Sequence, residues 1–200
     1  MKRKYLIIIS LVVFLIFLIL YLFNYVNNID NFVYNFIMDI KNDKVTYFMK
    51  FITFFGGVKF IIFLMILFII LNFIKGKIYL IFNYLIVGQS ILNRIVKIIV
   101  RRERPSLINL VEEKSFSFPS GHTMVAVTLY GFLIYLIYKS KLKKIYKMVL
   151  ILLLVLLIGL IVISRIYLGV HYFSDCIAGI FLALAYLLLC INILERKKII

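Results

Sequence analysis

The sequence predicts an all-α fold, a polytopic membrane helix bundle of six transmembrane helices with an interfacial helix between the first two. Three observations carry that expectation. The chain is 65% hydrophobic with a mean hydropathy of +1.11, far above the apolar share of a soluble domain. Six apolar runs come close to the ~20 residues needed to cross the hydrocarbon core. The net charge of +16 is gathered into short clusters between those runs. Such clusters fit membrane loops, and they leave no basic surface that could lie along a duplex, so nucleic-acid binding is excluded.

The first run, Tyr5–Tyr25, follows the basic start MKRK. It is longer than a signal-peptide core and no small-residue cleavage site follows it, so it is expected to stay as the first helix. The stretch NNIDNFVYNFIMDIKNDKVTYFMK, residues 27–50, mixes polar and aromatic side chains, as a short helix lying at the interface does. The remaining spans are read as Phe51–Ile74, Ile78–Val100, Ser120–Tyr138, Met148–Tyr167 and Ser174–Leu194. Pro105 disfavours helical geometry at Arg104, so the third helix is expected to reach about that far. No internal repeat or low-complexity linker interrupts the chain, and residues 1–200 read as a single domain. Cys176 and Cys190 stand fourteen positions apart on one predicted helix, roughly 21 Å, and read as buried apolar thiols that cannot bridge each other.

Orientation follows from the cations. Lys2, Arg3, Lys4, Lys75, Lys77, the lysines of the Lys139–Lys147 loop, Arg196, Lys197 and Lys198 fall on one side, with Glu195 the lone acid among them. The positive-inside rule puts that side, and both termini, in the cytoplasm. The loops Arg101–Pro119 and Leu168–Phe173 are then expected to face outward, and the membrane to be the plasma membrane.

Three stretches at that outer end carry the chemistry. Arg94, Lys97, Arg101 and Arg104 are spaced three, four and three residues apart, one helical face if the helix continues. They suit either an anion site or a headgroup anchor. Arg94, Arg101 and Arg102 are expected either to steer anionic headgroups to the site or to sit at the interface, with the interface favoured. Next comes Pro119-Ser120-Gly121-His122, where Ser120 is placed to cap the fourth span and expose free backbone N–H groups at the positive end of its dipole. Gly121 permits close approach of a ligand, and His122 adds a titratable ring. A plain helix start with an interfacial histidine is the bland alternative. Last, SRIYLGVHYFSD places Arg165 at the end of the fifth span, with His171 and Asp175 four residues apart. The carboxylate can hold one imidazole nitrogen protonated and leave the other free to attack, or the pair can merely satisfy itself.

Together these residues match a family signature. Lys97, six residues, Arg104-Pro105; Pro119-Ser120-Gly121-His122; and Ser164-Arg165, five residues, His171, three residues, Asp175 resemble, position for position, the three-part motif of the type-2 phosphatidic acid phosphatase superfamily. The six-span layout is similar to the family's membrane branch. The resemblance implies a metal-independent phosphatase without a cofactor, in which His171 is the nucleophile, Asp175 orients it and His122 is the general acid and then base. Lys97, Arg104, Ser120, Gly121 and Arg165 are implied to hold the phosphate. The implied substrates are outer-leaflet lipid phosphates: undecaprenyl diphosphate, phosphatidylglycerophosphate or phosphatidic acid. An outward-facing site favours recycling of the cell-wall carrier lipid.

The rival readings are an anion or lipid transporter, or a lipid-binding protein without hydrolysis. A transporter calls for polar residues deep in several spans, and only the third has them: Asn83, Gln89, Ser90 and Asn93. The haloperoxidase-like relatives of the same motifs are soluble, unlike this chain.

Overall fold

The computed structural model describes residues 2–75, 78–105, 110, 113 and 115–200. Lys77 of the expected cytoplasmic set, and residues 106–109, 111, 112 and 114 of the loop expected to face outward, lie outside the described residues. The chain runs through α1 (Lys2–Leu22), α2 (Asn27–Asp39), α3 (Asp43–Phe54), α4 (Val58–Lys75), α5 (Ile78–Val100), α6 (Gly121–Lys139), α7 (Lys144–Tyr167) and α8 (Phe173–Arg196).

Among the described residues, five stretches are long and apolar enough to cross a membrane: Arg3–Leu22, Asp43–Phe73, Gly121–Lys139, Lys144–Tyr167 and Phe173–Arg196. The six-span expectation is therefore met only in part. The expected span outside that set is α5, whose 23 residues suffice in length but include Asn83, Gln89, Asn93, Arg94 and Lys97. Their placement explains the composition. Asn83, Gln89, Asn93 and Lys97 are buried within the bundle, whereas Tyr84, Val87, Ile91, Ile95 and Ile98 form an exposed apolar stripe at helical spacing.

The region between α1 and α4 also departs from expectation. One interfacial helix was expected over residues 27–50; two helices occupy it, and the second continues past Phe51. Asn42 divides them, its side-chain oxygen accepting the Val45 N–H at 3.0 Å as an N-cap. The expected span Phe51–Ile74 is broken at Phe55-Gly56-Gly57, where glycines lower helix propensity and allow close packing. A Cβ on Gly56 would sit 3.0 Å from Ile161 Cγ2 of α7.

In the bundle, α6 packs against α5, α7 and α8; α1 lies along α8, α4 along α5, and α3 along α7. The interior is apolar and aromatic, with Phe82, Leu129, Phe132 and Ile161 buried in one cluster and Phe14, Phe118, Met124 and Ala183 in another. The outer faces of α1 and α7 expose leucine, isoleucine and valine, the surface a bilayer covers.

Because neighbouring helices run in opposite directions, α5 and α7 end where α6 and α8 begin. The two loops that carry the motif residues therefore meet at one end of the bundle. Backbone bonds lock them together, Ser120 N donating to Asp175 O at 3.1 Å and Leu110 N to Leu168 O at 3.2 Å, while Ser117 N to Arg102 O at 2.7 Å closes the first loop on itself.

Candidate active site

Helix α5 ends at Val100, short of the expected Arg104. Arg101 turns the chain in the left-handed region, φ 51°, and its Nε donates to Ile98 O at 3.0 Å. Arg101 and Arg104 accordingly leave the helical face they were expected to share with Arg94 and Lys97. Arg101 points to solvent, Arg102 is buried, and Arg104 turns back toward the bundle. The interfacial role expected for Arg102 is thus contradicted: its guanidinium pairs with Asp30 and Asp175, each at 2.7 Å.

A cavity of about 500 Å³ opens beside this turn. His122, His171, Lys97, Arg104 and Gly121 line one end of it, together with Glu113 and Ser115. Val58, Ile61, Ile62, Met65, Ile86 and Val87, from α4 and α5, form the other end. Thus residues from both loops, distant in sequence, share one polar chamber that continues into an apolar groove between helices. That size and mixed lining suit an amphiphilic ligand.

His171 lies just before α8, and the helical i,i+4 geometry expected for it is replaced by a turn. Its Nδ1 still faces Asp175 Oδ2 at 3.5 Å and lies 3.3 Å from Ser117 Oγ, which itself donates to Asp175 Oδ2 at 2.5 Å. Its Nε2 is 3.3 Å from Arg104 Nη1. Only one tautomer satisfies both sides: Nδ1 carries the proton toward Ser117 and Asp175, and the Nε2 lone pair meets the guanidinium. Burial, then Arg104, Arg165 and Lys97, hold the His171 pKa well below the ordinary 6.5, so the ring is neutral. Asp175, fully buried, also accepts the Tyr172 N–H at 3.0 Å.

The cations are fixed by carbonyls and one acid. Lys97 Nζ donates to Phe116 O and, at 3.4 Å, to Ser117 O. Arg104 donates through Nη1 to Val170 O at 2.7 Å and through Nε to Ser115 O at 2.6 Å. Arg165 binds Thr53 Oγ1 through Nη1 and Glu113 Oε1 through Nη2, both at 2.7 Å. Glu113 also lies 3.8 Å from Arg104 Nη2 and 3.9 Å from His122 Nδ1.

Two expected phosphate holders sit otherwise than expected. Ser120 occupies the N-cap position of α6, yet its side chain makes no capping bond. It is fully buried, with Oγ accepting from Thr123 Oγ1 at 3.0 Å. Arg165 is turned toward Thr53 and Glu113, behind the cavity wall rather than on it. Gly121 does face the cavity; a Cβ there would come 3.2 Å from Asn93 Oδ1.

The sequence reading missed Asp30, Glu113 and Ser117. Ser117 carries a readable signal, two residues before Pro119 in the stretch that breaks the apolar pattern. Asp30 and Glu113 carry none, since their partners lie 72 and 52 residues away. Among the described residues, no three His, Cys, Asp or Glu side chains converge as a metal site requires.

Comparisons with known proteins agree with this architecture. Phosphatidylglycerophosphatase B of Bacillus subtilis is 36% identical over 115 residues, 55% of each chain. The chain therefore spans about half the length of the curated relative it matches. The crystal structure of a transmembrane PAP2-type phosphatidylglycerolphosphate phosphatase from Bacillus subtilis superposes with a TM-score of 0.88 at 28% identity, over 96% of this chain and 97% of that one. LpxE of Aquifex aeolicus shares the fold at a TM-score of 0.61 and 22% identity, over 80% of this chain and 92% of its own. The PAP2 superfamily model matches residues 77–199, the stretch that holds every motif residue of the cavity. The chain is an integral membrane protein of the PAP2 superfamily.

Proposed function

We propose that this protein hydrolyses lipid phosphates at an extracytoplasmic membrane surface through a phosphohistidine intermediate. One observation carries the reading: two histidines, one in the first turn of α6 and one in the loop before α8, line a cationic chamber that opens into an apolar groove between helices. A phosphate headgroup fits the first part and an acyl or prenyl chain the second.

In the first step His171 Nε2 attacks phosphorus and the bond to the lipid oxygen breaks, with the leaving oxygen taking a proton from His122. In the second, His122 removes a proton from water, which attacks phosphorus and releases inorganic phosphate and free His171. Asp175 and Ser117 hold the Nδ1 proton throughout. Lys97, Arg104 and the α6 N-terminus at Gly121 stabilise the charge on the transferring group, with Arg165 and Ser120 supporting them from behind. The neutral state of His171 supports the nucleophile assignment, since its Nε2 keeps a free electron pair.

Phosphatidylglycerophosphate stands first among the substrates, because the Bacillus subtilis relatives are named for it. Undecaprenyl diphosphate and phosphatidic acid share the same phosphate chemistry. Phosphate release by purified protein from each of the three, in competition, ranks them. His171→Ala and His122→Ala are expected to lower release at least about a thousandfold while the protein still inserts. Near-normal turnover of the His171 variant rules out its role as nucleophile. A transporter without hydrolysis predicts lipid movement but no phosphate release in the same vesicles.

A further inference from the structure

On the side of Asp175 away from His171 lies a second buried network. Arg102 is 5% exposed and Asp30 2% exposed. Arg102 Nη1 donates to Asp175 Oδ1 at 2.7 Å and to Ser174 Oγ at 2.7 Å, while Nη2 donates to Asp30 Oδ2 at 2.7 Å. Asp30 in turn accepts the Ser174 N–H at Oδ1, 2.8 Å, and the Ser174 hydroxyl at Oδ2, 2.6 Å. A carboxylate from α2 thereby caps the first turn of α8, the helix that carries Asp175. The rings of Tyr21 and Tyr172 flank the Arg102 guanidinium, with centroids 4.7 and 4.0 Å from Cζ.

We propose that Arg102, anchored by Asp30, is a positioning residue for Asp175 and, through it, for His171. The physical reason is that a fully buried carboxylate lacking a cation is unstable as an anion, and a neutral acid holds an imidazole N–H less tightly than a carboxylate does. Arg102 supplies the cation from the face opposite His171. Its planar fork spans two carboxylates at once, so the guanidinium cannot swing away from Asp175 without abandoning Asp30. Asp175 is left with Oδ2 turned toward Ser117, Tyr172 N–H and His171. Arg102 does not line the catalytic cavity, so it acts at one remove. The arrangement ties the amphipathic α2 segment to the orientation of the reacting histidine.

This inference rests on the phosphatase reading, and two measurements separate its failure from failure of that reading. The first is kinetic, with full-length protein and phosphatidylglycerophosphate in detergent micelles. Arg102→Gln and Asp30→Asn are each expected to lower kcat about 10–100-fold with KM nearly unchanged, and Arg102→Lys to recover part of the loss. In an Asp175→Asn background, Arg102→Gln is expected to add nothing, because its effect runs through that carboxylate. The second is the ¹⁵N spectrum of His171 in an His122→Asn protein, which needs no turnover. A single Nδ1–H tautomer is expected, giving way to a tautomer mixture once Arg102 becomes Gln. Where Arg102→Gln does not fold, Asp30→Asn, which keeps the volume but removes the charge and one of the two accepting oxygens, decides by the same readouts. Unchanged kcat in Asp30→Asn, a full additional loss in the Asp175→Asn background, or an undisturbed tautomer overturns the proposal. Wild type that releases no phosphate overturns the functional reading instead, and the tautomer spectrum still decides the role of Arg102.

Discussion

Burial and three neighbouring cations depress the pKa of His171, and the sign of that shift sets a testable pH behaviour. Unfolded, the ring takes up a proton as pH falls through 6.5; folded, it resists until lower pH. Above 6.5 the group is neutral in both states and adds no pH dependence. Between 6.5 and the lower folded value the unfolded chain binds more protons, so stability drops as acid is added. A ¹³C-histidine titration of the free protein is expected to place the His171 midpoint below 6.5; a midpoint at or above it contradicts the neutral-nucleophile assignment. Arg101 gives a second prediction. It holds a left-handed φ of 51° directly after α5, where glycine carries no Cβ penalty. Arg101→Gly should stabilise the protein by about 1 kcal/mol, a melting shift of roughly +2 to +4 °C for a chain this size. At this scale the motif histidines, Asp175, Lys97 and Arg104 were legible in the sequence because rare polar residues stand out against an apolar background. Asp30 and Glu113 were not, because their meaning depends on partners supplied by the fold.

Helix α5 shows how one element serves two solvents. Its exposed stripe of Tyr84, Val87, Ile91, Ile95 and Ile98 faces outward, while Asn93 and Lys97 turn inward to the loop before α6. Asn93 Nδ2 donates to Pro119 O at 3.1 Å and so pins the turn from which Gly121 and His122 emerge. Asn93→Leu leaves that carbonyl buried without a donor, at an expected cost of about 1–3 kcal/mol, read as earlier thermal unfolding in detergent. An unchanged melting curve contradicts the pinning role. Element boundaries followed the sequence where apolar runs were clear, as in α6, α8 and the end of α7, although α7 begins at Lys144, four residues before the expected Met148. They failed at Gly56-Gly57, where a long apolar run conceals a break, and at Arg101, where the chain leaves the helix four residues before Pro105 would have stopped it.

Over the whole molecule, antiparallel neighbours bring the ends of α5 and α7 to the starts of α6 and α8, so three sequence-distant motifs become one chamber. The all-helical, membrane-type architecture was legible because apolar runs alternate with charged loops, whereas the six-span count was met only in part. The spatial exchange of partners, with Arg102 behind Asp175 and Arg165 behind Glu113, was not, since charge type and spacing alone leave the pairing open. In the proposed function, every element serves the transfer of one phosphoryl group to His171 Nε2. Wild type mixed with ³²P-labelled phosphatidylglycerophosphate, quenched in alkali within milliseconds and digested, measures this directly. An alkali-stable, acid-labile label on the peptide bearing His171, absent in His171→Ala, is the expected result. Phosphate release with no such label, or a label that persists when His171 is removed, contradicts it.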